Sequence, residues 1–303
     1  MRIKLSVVLF ISLLMSSFVF AQNDDDWWDD DYWNDDLDFN VEVFNSDSRP
    51  FIELNYGSPK VLHKLIGNDI FNNLGFGELK LGYFSSDNLD ESHLVEFDES
   101  YFFISNISKD LDFNSSTASS GSGVTKLDGY GYRIGFADRD GYGYKFESIS
   151  FNPYHQSGIN WSKLTITAPN LGTLPPIERM ALERFNKDFR FGTTNEAGIN
   201  IGLGDGFISL NTGYEFTVIF PRYLIWKHLG SFIIESIAQK SIDSFVDEVM
   251  DRSPLAGPIV NFALKNGLSY AFYSLKKEDM NWPFSTEEPL TFETFKFGIS
   301  INF

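Results

Sequence analysis

The sequence predicts a mainly β chain, an antiparallel closed barrel of about eight to ten strands carrying one α-helical insertion. Three observations point there. Several segments alternate apolar residues with small or polar ones, the two-residue period of strands. Gly- and Asp-rich turn sequences join some of these segments into hairpins. One stretch, at about 222–277, changes instead to the helical period.

The chain opens with Arg2 and Lys4 before an apolar run from Leu5 to Phe20, which ends at Ala21 and gives way to acidic residues. That is the order of a secretory signal peptide. A spanning helix needs about 20 apolar residues, whereas this run is shorter and is broken by Ser6, Ser12, Ser16 and Ser17. Residues 1–21 are therefore expected to be cleaved, leaving a chain that starts near Gln22. Without Arg2 and Lys4, 22 basic residues face 42 acidic ones, a net charge of −20. That balance excludes nucleic acid held through its phosphates.

Residues 22–48 form an acidic, aromatic tail, whose many carboxylates cannot be buried together. A disordered, solvated tail is expected. The alternative gives its aromatics a periplasmic partner and lets Asp24, Asp25, Asp26, Asp29, Asp30 and Asp31 bind Ca²⁺ weakly, although the fixed spacing of an EF-hand loop is missing.

A barrel domain is expected over 49–303. Strands run from Phe51 to Gly57, Glu78 to Phe84, Tyr101 to Ile107 and Ile159 to Thr167, with short helices at 59–74 and 175–188 and a Ser/Gly-rich flexible loop at 115–123. A hairpin pairs Tyr130, Tyr132, Ile134 and Phe136 with Tyr142, Tyr144 and Phe146 across a turn at 138–141. A second hairpin sets Ala197, Ile199, Ile201 and Leu203 against Ile208, Leu210, Tyr214, Phe216, Val218 and Phe220 across Gly204, Asp205 and Gly206. On its second strand Ser209, Asn211, Gly213, Glu215 and Thr217 form the polar face, and Glu215 is expected to face the lumen. Placing both turns at one end leaves the strand parity between Phe146 and Phe191 unresolved.

From Pro221 to Pro254 the apolar stripe Ile225, Leu229, Phe232, Ile233, Ile237, Phe245, Val246 and Val249 has helical spacing. A second helix follows from Leu255, with 268–275 alternatively a short strand. The insertion is too apolar for a free loop and must pack on something. The lumen is the expected place, because the basic face of an interfacial helix is lacking; the rim and the membrane surface are the alternatives.

The last strand sets Phe295, Phe297, Ile299, Ile301 and Phe303 against Lys296, Gly298, Ser300 and Asn302. This segment resembles the terminal strand of bacterial outer-membrane β-barrels, whose alternation and final aromatic residue are an assembly signal. The resemblance implies an outer-membrane-type barrel of a Gram-negative bacterium, with Phe303 read by the barrel assembly machinery and outer-membrane lipids around the wall. The abundance of aromatic residues fits girdles at both interfaces. A soluble periplasmic β protein is the alternative; it would turn the same apolar faces inward. The expected function is non-enzymatic, as a transporter or a structural or docking protein. Glu147 and Glu215, as acidic lumen-side positions, hint at cation preference, and Lys145 and Lys296 blunt that hint.

The chemistry-bearing residues are sparse. The absence of cysteine excludes disulfides, a thiol nucleophile and a lipidated N-terminus. His63, His93, His155 and His228 show no zinc spacing, the Gly-Tyr-Gly-Tyr runs belong to strands and not to a phosphate loop, and no cofactor is expected. In Tyr154-His-Gln-Ser-Gly-Ile-Asn160 the side chains of His155 and Ser157 would share one strand face, where an imidazole could activate a hydroxyl. The segment resembles the His-Gln-Ser-Asn-Gly motif of outer-membrane phospholipases. That resemblance implies a lipid hydrolase with His155 as base and Ser157 as nucleophile, although Gly158 stands where the family has Asn. The alternative is a polar turn after Asn152-Pro153.

Overall fold

A computed structural model describes residues 48–66, 71, 73–89, 93–111, 127–167, 174–204 and 206–303. Eight strands follow one another around a closed antiparallel barrel: β1 (Arg49–Leu62), β2 (Gly75–Leu89), β3 (Leu94–Ser108), β4 (Asp128–Phe146), β5 (Ile149–Thr167), β6 (Phe189–Leu203), β7 (Ile208–Ile219) and β8 (Leu290–Asn302). Helix α1 (Pro176–Glu183) lies between β5 and β6, and α2 (Ile225–Arg252) and α3 (Gly257–Lys276) lie between β7 and β8. Closure comes from β8 pairing with both β7 and β1, so no strand edge is left open.

Alternation along each strand divides the side chains cleanly. Glu53, Lys80, Glu99, Arg139, Glu196 and Lys296 point inward and are buried. Their neighbours Ile52, Leu54, Leu81, Ile104, Leu210 and Ile299 point outward and are exposed, Leu54 to 63% and Ile299 to 55%. A soluble barrel does the reverse, because exposed apolar area is costly in water. Large aromatics stand at both borders of the apolar belt: Tyr83, Phe146, Phe151 and Phe303 towards one end, Tyr130, Tyr132 and Phe189 towards the other.

The register fixes the barrel's tilt. Pairing from Ile52 runs through Leu81, Phe102, Phe136, Ile159, Thr193 and Val218 to Thr291, ten residues from Ile301, which Ile52 meets across the closing seam. Such a stagger tilts the strands, so a line of constant height drifts by about one and a quarter residues per strand. Ile52, Leu81, Ser100, Asp140, His155, Ile199, Leu210 and Ile301 consequently share one height.

Three expectations are corrected. First, 138–141 is not a turn: β4 runs unbroken from Asp128 to Phe146, and all seven aromatic and aliphatic residues assigned to that hairpin lie on its outer face. The turn-like residues are accommodated by neighbours, since Ser100 Oγ donates to Asp138 at 2.8 Å, Lys265 reaches Asp140 at 2.6 Å, and at Gly141 a Cβ would lie 3.1 Å from the Phe97 ring. The tight turns are at Glu147 and Ser148, where Glu147 has φ 46°, and at 204–207, where Gly204 and Gly206 have φ 59° and 83°. Both lie at the barrel end that carries the outer ends of β1 and β8, which resolves the parity. Second, the helix expected at 59–74 is strand where it was to begin. β1 continues to Leu62, because Pro59 through Leu62 pair with Thr294 through Thr291. β5 likewise runs from Ile149 through the His155 segment, which is strand and not turn, and 268–275 is helix.

The third correction concerns the insertion. α2 and α3 form an antiparallel hairpin that packs on the outside of the barrel across β4, β5, β6 and β7. The barrel side chains that α3 pairs with, Asp140, His155, Phe216 and Glu293, point outward. The lumen is already filled by the barrel's own charged side chains, so the helices have no room there.

Candidate functional site: a filled lumen and a polar seam on the outer wall

Inward positions carry charges of both signs, and the lumen holds one connected ion network. Arg139 is fully buried; its Nη1 lies 2.9 Å from Glu53 and 2.7 Å from Glu99, and its guanidinium stacks 4.4 Å from the Tyr154 ring centre. Arg133 donates to both carboxylate oxygens of Glu215, at 2.6 and 3.2 Å, and to Glu78 at 3.2 Å. Lys296 reaches Glu78 at 3.0 Å, Glu196 at 2.6 Å and Glu215 at 2.7 Å, while Lys80 reaches Glu53 at 3.0 Å. Tyr154 donates to Glu196 at 2.5 Å. Charges buried to this degree persist only when paired and hydrogen-bonded, and here four cations interleave with five carboxylates.

Above the network, towards the end with the long connections, the lumen is sealed by Val61, Phe76, Ile107, Leu164, Ile219 and Phe292, one buried apolar cluster. At the opposite end lies a polar bowl of about 500 Å³ lined by Arg49, Ser86, Asn88, Lys145 and Asn152. Glu215 faces the lumen as the alternation predicts. Glu147 sits in the turn instead.

The outer wall carries a second feature, a polar seam in the otherwise apolar belt. Ser100, Asp138, Asp140, His155 and Ser157 are outward residues of β3, β4 and β5, at the height of Ile52 or just above it. Alternation brings His155 and Ser157 to the same face, as the sequence predicts. The hairpin covers the seam and satisfies it. Lys265 of α3 lies between Asp140 (2.6 Å) and Asp243 of α2 (2.8 Å). Asn266 donates to the backbone oxygens of Tyr154 (3.1 Å) and Phe262 (2.9 Å), and its Oδ1 is 3.0 Å from His155 Nδ1. Ser269 Oγ is 3.5 Å from His155 Nε2 and accepts from Gln239 of α2 at 2.7 Å. With the Asn266 amide turned to donate to two carbonyls, its Oδ1 can only accept. Nδ1 of His155 therefore donates to Asn266, and Nε2 faces the Ser269 hydroxyl.

Sequence reasoning missed Asn266 and Ser269 as partners of His155, and Lys265 as the partner of Asp140. They lie more than 100 residues away in the chain, and no local pattern links them. The lumen charges did carry a signal, since Glu53, Lys80, Arg133, Glu196 and Lys296 all occupy the polar phase of alternating strands. Phe303 stands exposed at the barrel rim, its N–H donating to Pro50 at 2.9 Å. The signal segment 1–21 and Asp24, Asp25, Asp26, Asp29, Asp30 and Asp31 lie outside the described residues. Among the described residues no group of three or more His, Asp or Glu side chains is placed to hold a metal ion.

An apolar outer belt, two aromatic borders and a charged, closed interior define the class: an eight-stranded β-barrel of the outer-membrane type. No family model matches the sequence, and no curated protein matches it. Among solved structures the chain is similar to Neisserial surface protein A, NspA, at 9% identity and a TM-score of 0.39, covering 84% of this chain and 97% of that one. It is also similar to Ail, the attachment invasion locus protein of Yersinia pestis, at 10% identity and a TM-score of 0.34, covering 85% and 99%. The class assignment rests on the strand order and side-chain distribution, not on these likenesses.

Proposed function

We propose that this protein is a non-enzymatic outer-membrane barrel with a structural or docking role, performed by its surface and not through its lumen. The observation that carries this reading is the filled interior, where every strand contributes buried side chains to the ion network or to the apolar seal above it. A transport role would need a passage through both layers. On this reading residues 1–21 direct export, Phe303 serves assembly, and the end with tight turns faces the periplasm. The long connections then face outward, and β1 begins on the periplasmic side, where a partner or Ca²⁺ could meet the acidic residues that precede it.

The hydrolase alternative keeps His155 beside Ser157. It is disfavoured because the imidazole nitrogens face Asn266 and Ser269 beneath the hairpin, so His155 is assigned to holding the hairpin. The test combines fractionation, heat-dependent gel mobility and planar-bilayer conductance. The expected result is outer-membrane recovery with a mobility shift and no stable channel. A reproducible ion conductance would overturn the closed-lumen reading, and lipase activity lost in Ser157→Ala would restore the enzyme.

A further inference from the structure

We infer that the α2–α3 hairpin is itself embedded in the bilayer, lying against the barrel wall with its outer face in contact with lipid acyl chains. This rests on the outer-membrane reading of the barrel and adds a lipid-facing surface made of helix.

Height places the hairpin at membrane depth. Lys265, Asn266 and Ser269 meet Asp140 and His155, which stand level with Ile52, Leu210 and Ile301 of the apolar belt. Higher up, Tyr270 and Tyr273 pack on Phe216. The hairpin thus runs alongside the same belt that the rest of the wall presents.

The distribution of polarity over the hairpin then identifies its surroundings. Neither helix is apolar enough all round to cross a membrane alone. The polar groups, however, are turned inward: Lys265, Asn266, Ser269 and Lys276 are buried, and Lys276 is paired with Glu235 of α2. Between His228 and Gln239, and between Gly257 and Leu275, no exposed position bears a charge. What those stretches expose is mainly Ile233, Ile237, Ile259, Leu264, Tyr270 and Leu275. The hydroxyls of Ser241, Ser244 and Ser274 are returned to the carbonyls of Ile237, Lys240 and Tyr270 four residues earlier, which satisfies them without water. Exposed charges gather at the connecting tip: Asp247, Glu248, Asp251 and Arg252. Lys240 is the highest of the exposed charges below His228, and its stem is long enough to snorkel towards the tip. Charged ends with an uncharged middle match a headgroup layer next to hydrocarbon.

The seam gives the arrangement a physical reason. Asp138, Asp140 and His155 against lipid would each cost several kcal/mol. Ser100 of the barrel satisfies Asp138, and the hairpin satisfies Asp140 and His155 on its inner face and restores an apolar surface on its outer face.

The natural chain has no cysteine, so nitroxide labels can be placed singly at Ile237→Cys, Leu264→Cys, Asp251→Cys and, as the barrel reference, Ile52→Cys. The full-length protein, folded into phosphatidylcholine vesicles, is then probed by collision with molecular oxygen, which concentrates in acyl chains, and with a water-soluble nickel chelate. The expected result is that labels at 237 and 264 match the label at 52, oxygen-rich and shielded from nickel, while the label at 251 is several-fold more accessible to nickel. Nickel access at 237 and 264 with shielding at 52 overturns the embedded hairpin and leaves the barrel in the membrane. Low access to both reagents at 237 and 264 means that protein, such as a second copy, covers the face, and it overturns lipid contact. Nickel access at 52 overturns the membrane reading and the hairpin inference together.

Discussion

Replacing Arg139 by Met tests whether the lumen is a stabilising ion network. The side chain is completely buried, touches Glu53 at 2.9 and 3.0 Å through its two Nη atoms, and touches Glu99 at 2.7 Å. Met preserves most of the length and removes the charge. Glu53 would keep Lys80 at 3.0 Å and the amides of Asn55 and Asn211 at 2.7 and 2.9 Å. Glu99 would lose Arg139, the hydrogen-bonding cation on its carboxylate. Removing one member of a buried pair costs about 3–5 kcal/mol. Because Glu53 retains its other partners, a loss of about 3 kcal/mol is expected, roughly a hundredfold in the folding equilibrium. Urea unfolding in lipid vesicles, followed by tryptophan fluorescence and by the heat-dependent gel shift, measures it. The double variant Arg139→Met with Glu99→Gln removes the stranded charge and should recover at least half of the loss. An Arg139→Met protein within about 0.5 kcal/mol of the parent would show that water or relaxation solvates these carboxylates, and the closed-network account would fail.

Other outcomes follow from the hairpin and the lumen. Lys265→Met takes the ammonium away from Asp140 and Asp243 and should weaken hairpin docking by about 2 kcal/mol, seen as faster proteolysis at the 252–256 tip with the barrel's gel shift retained. If barrel and hairpin are instead lost together, the hairpin is no separable layer. Gly198→Val would drive a side chain into the Tyr154 ring and the Thr212 carbonyl, 2.6 Å from a Cβ. It should abolish the heat-stable form, and an unchanged shift would contradict the close packing of the lumen.

The terminal strand, the 197–218 hairpin and the helical character of 222–277 were legible because each is a local periodicity, and side-chain period depends only on backbone geometry. The inward position of Glu215 followed from the same rule. Segment 138–141 was misread for a related reason: Asp, Arg and Gly there have turn propensity, yet Ser100, Lys265 and Phe97 supply partners that make a straight strand favourable. Propensity is a weak prior that such contacts override. Within the site, the shared face of His155 and Ser157 could be read from their spacing, but the groups that engage His155 could not.

Local pattern was enough to place alternating strands, a helical interruption at 222–277 and a last strand with one apolar face. Those are properties of neighbours two to four residues apart. Long-range packing was needed to show that cations and carboxylates pair across the lumen, and that the long helices lie on the wall instead of inside it. Each of these depends on pairings between residues distant in the chain, such as Arg139 with Glu53, 86 positions apart, and Lys296 with Glu78, 218 apart. A buried charge is tolerated only where its partner arrives, and the ten-residue stagger of the closed sheet determines that arrival.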